Sequence, residues 1–217
     1  MPAVDSAVMI QLLAELAGAL VSPERCAACD AHVPIRTIFC PSCVPTVEAS
    51  PIGSESLAPF RYGGAIAEAI VRFKYQRRGD LARPLGALML RAVPHLRHLE
   101  IDLVVPVPLH PSRLAERGFN QAALLARPLA HALGIPLLAR GLDRTRDTPR
   151  QATLDRALRL ENVAAAFVAP NPKKVSARRI LLVDDVRTTG ATLRACAAAL
   201  RKAGASHVVD TALAIAD

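Results

Sequence analysis

Residues 180–192 read ILLVDDVRTTGAT, an apolar run that leads into two carboxylates, Asp184 and Asp185, and then into a turn rich in threonine and glycine. Consecutive apolar residues without polar alternation indicate a strand that is covered on both faces, as in a parallel sheet. We expect this strand to end at the carboxyl edge of the sheet, where open α/β sheets bind their ligands. The two acids, our candidate catalytic residues, can accept hydrogen bonds from a sugar diol or help to hold a divalent cation.

The turn after the acids has the chemistry of a phosphate site. It offers hydroxyls and consecutive backbone N–H groups at the start of the next helix, where unpaired N–H groups and the helix dipole attract anions. Gly190 lets the backbone approach the anion without a Cβ in the way. Carboxylates beside such a turn predict a sugar phosphate, because the diol needs acceptors and the phosphate needs donors. The predicted phosphate-binding residues are Thr188, Thr189, Gly190, Ala191 and Thr192.

Two other phosphate motifs are absent from the sequence. The chain contains neither the P-loop pattern G-x-x-x-x-G-K-[ST] nor the dinucleotide pattern G-x-G-x-x-G. A buried strand with incidental acids, followed by a threonine that caps a helix, remains the structural alternative to a ligand site.

Patterns typical of strands and helices alternate around this stretch. A helix at residues 119–134 is expected to end at Gly134, and helices with basic exposed faces are expected at residues 60–80 and 81–93. This alternation predicts an α/β fold with a parallel sheet. The other strands are expected in IDLVVPVP (101–108), IPLL (135–138), AAFVA (165–169) and SHVVDTALAIA (206–216).

The composition describes a globular protein with anionic partners. Of the 217 residues, 52% are hydrophobic and 21% are charged, which excludes a disordered or fibrous chain. A formal net charge of +8 favours phosphates, nucleic acid or acidic lipid as partners.

A stretch rich in Pro, Gly and Ser at residues 45–59 is the predicted linker. We therefore expect an N-terminal unit, residues 1–48, and a main domain, residues 57–217. The amphipathic helix predicted at residues 6–20 is too short and too polar to span a bilayer, and no basic flank of a secretory signal precedes it. These features predict a cytoplasmic protein without a membrane span.

Two C-x-x-C pairs, Cys26 with Cys29 and Cys40 with Cys43, are separated by ten residues. Four thiolates in tight turns are suited to one tetrahedral, structural Zn²⁺. A redox dithiol pair or two disulfides are the alternatives. The fifth cysteine, Cys196, falls at helical spacing with Leu193 and Leu200 and is expected to be a small core residue.

Two basic segments are candidates for further contacts. Arg113 and Arg117 lie four residues apart, so both guanidinium groups can reach one anion, unless they are solvated arginines on one helical turn. Residues 142–162 are polar, basic and long for a connection, which favours a mobile lid over a core element. An exposed helix with Arg/Asp pairs is the alternative there. The named lid residues are Arg144, Arg146, Thr148 and Gln151.

The stretch ILLVDDVRTTGAT resembles the 5-phosphoribosyl 1-diphosphate (PRPP) signature of type I phosphoribosyltransferases. Together with the C-x-x-C pairs, FRYGG with RFKY, PVPLHPSRLAERGFNQAALLA and TPRQATLDRALRLENVAAAF, it resembles the competence protein F (ComF, also GntX) family. The resemblance implies a zinc ribbon joined to a phosphoribosyltransferase domain, and an association with DNA uptake or the use of external DNA. It also implies that the acids face the ribose, that the turn binds the 5-phosphate, and that Arg113 and Arg117 lie on the pyrophosphate side.

Two functions compete at this point. One is a transferase that uses Mg²⁺ with PRPP, or that binds another 5-phosphoribosyl ligand. The other is an accessory protein without catalysis that binds single-stranded DNA and works with DNA-uptake proteins, because aromatic and basic side chains interleave after the linker. This second set comprises Phe60, Tyr62, Phe73 and Tyr75 with Arg61, Arg72, Lys74, Arg77 and Arg78.

Overall fold

The structure is a computed structural model that describes residues 25–53, 56–145 and 166–216. Its central sheet has four parallel strands in the order β1-β6-β5-β2. These strands are β1 (Phe60–Arg61), β2 (Leu103–Pro106), β5 (Arg179–Arg187) and β6 (His207–Ile215). A separate antiparallel pair joins β3 (Asp143–Arg144) to β4 (Phe167–Val168).

Helices cover both faces of the central sheet. Short 3-10 turns lie at Val44–Thr46, Gly79–Leu81, Leu90–Ala92 and Arg97–Leu99. In chain order the described helices are α1 (Gly64–Tyr75), α2 (Ala82–Met89), α3 (Val93–Leu96), α4 (Pro111–Arg117), α5 (Gln121–Leu133), α6 (Pro172–Val175) and α7 (Ala191–Lys202).

Strand β5 separates two hydrophobic cores because successive side chains point to opposite faces of a sheet. Leu181 and Val183 belong to the core that contains Phe73 of α1. Ile180 and Leu182 belong to the core on the other face, which contains Leu193, Cys196 and Leu200 of α7. The apolar run of β5 is therefore fully buried, as predicted.

Several predicted elements are present. Strand β2 is buried along its whole length, and α5 ends at Gly134, which adopts the left-handed conformation with φ of 69°. Cys196 is a fully buried core residue of α7.

Two strand predictions were wrong in detail. The stretch 135–138 makes only a single parallel bridge, between Leu137 and Val104, since Pro136 has no N–H to donate to a longer ladder. The stretch at 165–169 contributes β4, which pairs with β3 and does not join the central sheet.

The predicted linker is fastened to the start of the main sheet. Ala49 forms an antiparallel bridge with Phe60, and the Ser50 N–H donates to the Pro59 carbonyl over 2.9 Å. Cys26 and Phe39 lie in the same hydrophobic core as Phe73. The division into residues 1–48 and 57–217 stays a prediction, and the helix predicted at residues 6–20 lies outside the described part of the chain. None of the described helices is long and apolar enough to cross a membrane.

Candidate functional site

The two adjacent carboxylates of β5 lie in different surroundings. Asp184 is partly accessible and lines a cavity at the carboxyl end of the strand. Asp185 is 3% exposed, and its Oδ1 lies 2.7 Å from Nζ of Lys74, near the end of α1. Strand alternation places the two side chains on opposite faces of β5, and of the two only Asp184 lines the cavity.

The cavity joins Asp184 to the whole of the predicted phosphate turn. Its volume is about 230 Å³, which includes the open mouth. The lining residues are Asp184, Val186, Arg187, Thr188, Thr189, Gly190, Ala191, Thr192 and Leu193.

Gly190 shapes the turn and begins α7. Its φ of 71° is left-handed, a conformation that costs a residue with a Cβ about 1–2 kcal/mol. Gly190 has no side chain to cap α7, and the first N–H of the helix, that of Ala191, donates to Oγ1 of Thr189 over 3.4 Å. Ala191, Thr192 and Leu193 line the cavity, so the first turn of the helix, where N–H groups lack partners within the helix, lies at the cavity wall. Arg194 donates from Nη1 to the Thr189 carbonyl over 2.7 Å and braces the turn from the helix. This arrangement is that of an anion site at a helix N-terminus.

The positive charges of Lys74 and Arg144 partly offset the effects of burial and of Asp185 on the ionisation of Asp184. Burial, followed by the negative charge of Asp185, raises the pKa of Asp184 to about 7, while Lys74 and Arg144 act in the opposite direction. Burial alone would lower the pKa of Lys74, but attraction to Asp185 outweighs it and raises that pKa. Lys74 thus stays charged beside Asp185.

Lys74 is the site residue that sequence reasoning missed. The sequence pattern predicts Lys74 to be one of the exposed basic residues after the linker, whereas its ammonium group lies against the buried acid Asp185. Its position was the sequence signal for this burial, because Lys74 directly follows Phe73 on a helix that packs on the sheet.

The arginines of the predicted pyrophosphate side lie on α4. Arg117 is 7% exposed, and its guanidinium stacks over the Tyr75 ring, 5.0 Å from the centroid. Arg113 is half-buried on the same helix. The structure therefore packs Arg117 against α1, and the pyrophosphate role of both residues stays a prediction.

The predicted lid, residues 142–162, begins at β3, and the described chain resumes at Ala166, just before β4. Arg144 stacks over the Phe167 ring with 5.6 Å to the centroid, and it lies close enough to Asp184 to act on its pKa. The Thr145 N–H donates to the Ala166 carbonyl over 2.8 Å, which brings the two ends of the segment together. The other named lid residues, Arg146, Thr148 and Gln151, lie outside the described residues.

The four cysteines of the C-x-x-C pairs form one cluster, which we call the metal knuckle (residues 26–43). Their sulfur atoms all lie within 4.8 Å of one another, and all five cysteines of the chain are free thiols. Burial disfavours ionisation of Cys26, but N–H groups of Cys29, Cys40 and Ala28 point at its sulfur and lower its pKa to about 6. The donor set can hold a metal ion.

Three of the nine proposed DNA-stacking residues are buried in the fold: Phe60, Arg72 and Phe73. Phe60 and Phe73 are 3% and 0% exposed, and Phe73 stacks on Phe119 with 5.2 Å between ring centroids. Arg72 is 8% exposed and binds Asp30. The stacking prediction was wrong for these residues, because Phe60 of β1 and Phe73 of α1 are buried in the core and Arg72 is paired with Asp30.

The chain has a phosphoribosyltransferase-like fold: a parallel sheet whose buried strand ends in an acid beside a Thr/Gly turn. The sequence model of the Phosphoribosyl transferase domain matches residues 117–217. The DNA utilization protein YhgH of Salmonella typhimurium is 34% identical, with 84% of this chain and 86% of that protein covered. Competence protein F of Haemophilus influenzae is 32% identical, with 84% and 81% covered. The chain belongs to this competence protein F family.

Among solved structures, glutamine PRPP amidotransferase from B. subtilis is similar with a TM-score of 0.44 and 26% identity. The similarity covers 64% of this chain and 30% of that enzyme. The family assignment rests on the sequence relatives.

Proposed function

We propose that this protein binds PRPP in the cavity between Asp184 and the turn of residues 188–192, and that it transfers the phosphoribosyl group to an acceptor. One observation carries the proposal: a carboxylate, Asp184, and the first turn of α7 line the same cavity. These are the acceptor and the donors that the two ends of a ribose 5-phosphate require.

Each part of the cavity has a defined task in the proposal. Asp184 accepts hydrogen bonds from the ribose hydroxyls, and the N–H groups at the start of α7 hold the 5-phosphate. The ion pair of Asp185 and Lys74 supports the sugar site from the other face of β5. Arg113 and Arg117 assist the departing pyrophosphate, for which Arg117 would leave the Tyr75 ring. Interactions with developing charge are the ones that lower the barrier to transfer.

A divalent cation fits this donor set. Asp184 presents a carboxylate to the cavity, and oxygen ligands are those that Mg²⁺ prefers. When bound with PRPP, Mg²⁺ would neutralise diphosphate charge, mainly through ligand oxygens. The lid residues Arg144, Arg146, Thr148 and Gln151 would exclude water from the activated sugar.

The metal knuckle is proposed to hold zinc. Four thiolate ligands match tetrahedral Zn²⁺ and leave no open position, so the metal would have a structural role. The same free thiols favour a reducing compartment, and we propose the cytoplasm.

The names of the relatives support a role in DNA utilization or competence. We propose that the protein works with DNA-uptake proteins and contacts single-stranded DNA through exposed basic residues such as Arg77. Salt-dependent binding of a labelled single strand, weakened by Arg77→Glu, tests this contact. Binding that is independent of salt would contradict it.

The proposal is tested by titrating the zinc-loaded protein with PRPP and Mg²⁺ in a calorimeter, beside Asp184→Ala and Asp185→Ala. We expect wild type to bind and both variants to lose affinity. Pyrophosphate release is then followed with a panel of nucleobases and amines. Release with one acceptor supports transfer, binding without release across the panel leaves a PRPP-binding protein, and lack of binding refutes the proposal.

A further inference from the structure

We infer that Lys74 is a positioning residue of the sugar-phosphate site, and that the metal knuckle holds Lys74 in place through Arg72. The inference rests on the proposed function, because it assigns residues that act on the same site. It connects two features that lie on opposite sides of α1.

The contact between Lys74 and Asp185 is the first step. Nζ lies 2.7 Å from Oδ1, and the two side chains are 18% and 4% exposed. Oδ2 of Asp185 is buried without a hydrogen-bond partner among the described residues. A buried carboxylate is costly unless a cation or a hydrogen-bond donor pairs with it. Lys74 supplies that cation. By binding Oδ1 it leaves Oδ2 as the oxygen of Asp185 that can accept a further hydrogen bond.

Arg72 binds the metal knuckle on another side of the same helix. Its Nη1 donates to the carbonyls of Cys26, Ala27 and Ala28 over 3.2, 3.4 and 3.3 Å. Its Nη2 lies 2.7 Å from Oδ1 of Asp30. One planar guanidinium therefore grips the backbone turn that carries the first C-x-x-C pair, a task that suits arginine because its fork is rigid.

Asp30 reinforces this grip. Nη1 of Arg78 also lies 2.7 Å from Oδ1 of Asp30. The carboxylate thus ties two arginines to the knuckle, one within α1 and one just after it.

The geometry of α1 transmits the position of the knuckle to the acids. Residues two apart on a helix point to different sides, so Arg72 faces the knuckle while Lys74 faces β5. Phe73 lies between them, is fully buried and stacks on Phe119. Because this part of α1 is closely packed on both sides, a shift of the knuckle backbone must move Lys74 as well.

Metal and sugar phosphate should therefore bind with positive coupling. The metal orders the turn that Arg72 grips, and the sugar phosphate requires the acid that Lys74 holds. Such coupling is reciprocal and typically changes an equilibrium affinity about 5- to 150-fold.

The first experiment measures the affinity of ribose 5-phosphate, and of PRPP with Mg²⁺, by calorimetry on zinc-loaded full-length protein. Lys74→Met keeps the length of the side chain and removes the charge, and we expect it to weaken binding about tenfold or more. Lys74→Arg should restore part of the loss. Glu68→Gln is the matched control, an exposed change on the same helix, and should leave binding unchanged.

The second experiment measures metal affinity by competition with a chromogenic chelator, with and without saturating PRPP and Mg²⁺. In wild type we expect PRPP to tighten metal binding about fivefold or more. Arg72→Gln should bind metal but lose this dependence on PRPP. Should Arg72→Gln fail to fold, Arg72→Lys replaces it, because lysine retains the charge but its single nitrogen cannot take the places of both Nη1 at the carbonyls and Nη2 at Asp30.

The outcomes separate this inference from the function on which it rests. If wild type binds neither ligand, the proposed function fails and the inference fails with it. If wild type binds but Lys74→Met binds equally well or more tightly, only the positioning role is overturned. A metal affinity that does not respond to PRPP in wild type refutes the link through Arg72.

Discussion

Replacing Gly190 by alanine tests whether the turn before α7 holds a phosphate. The φ of Gly190 is 71°, so alanine there carries a strain of about 1–2 kcal/mol. The added Cβ would lie 2.9 Å from Nη1 of Arg194, a flexible tip that can move aside. For a chain of this size, such a loss lowers Tm by about 2–8 °C.

The effect on ligand binding should exceed the effect on stability. A hydrogen bond to a charged group contributes about 1.5–3 kcal/mol, so misplacing one N–H donor of the turn should weaken ribose 5-phosphate binding about 10- to 100-fold. Calorimetry gives the affinity, and thermal unfolding of the same samples gives Tm.

Gly134→Ala is the matched control. Gly134 has a φ of 69°, its Cβ would meet no atom within 4 Å, and it ends α5 away from the cavity. Both variants should lose similar stability, and only Gly190→Ala should lose affinity. If Gly190→Ala binds ribose 5-phosphate within about twofold of Gly134→Ala, the turn does not hold the phosphate.

Three further predictions concern the acid, the metal and the core. The pKa of Asp184 is raised from 3.8 to about 7, so the folded state holds the proton more tightly than the unfolded state. Stability should therefore fall as pH rises from about 4 to 7, and Asp184→Asn should reduce this slope in Tm measurements; an unchanged slope would contradict the assignment. Removing zinc with a chelator should increase amide exchange in residues 25–47, because metal binding contributes folding free energy to such a small unit, and equal exchange with and without metal would count against a structural metal. Phe73→Ala should cost about 3–5 kcal/mol in urea unfolding, against less than about 1 kcal/mol for Tyr62→Ala at an exposed position; similar losses would show that Phe73 is not a core residue.

Local patterns were sufficient for the elements that form the site. The run ILLV predicted a strand covered on both faces, and the turn with Gly190 predicted the start of a helix, because both signals come from neighbours along the chain. The spacing of the C-x-x-C pairs likewise predicted a cluster of four sulfurs. The opposite directions of Asp184 and Asp185 were also within reach of the sequence, since alternation along a strand is a local rule.

Other properties were decided only by tertiary packing. The sequence marked Lys74 and Arg72 as basic residues of an amphipathic helix, but their partners, Asp185 and Asp30, come from distant parts of the chain. Whether a charged side chain faces water or a buried acid depends on which surface its helix meets. That surface exists only after α1 has packed between the knuckle and the sheet, and no periodicity within α1 encodes it.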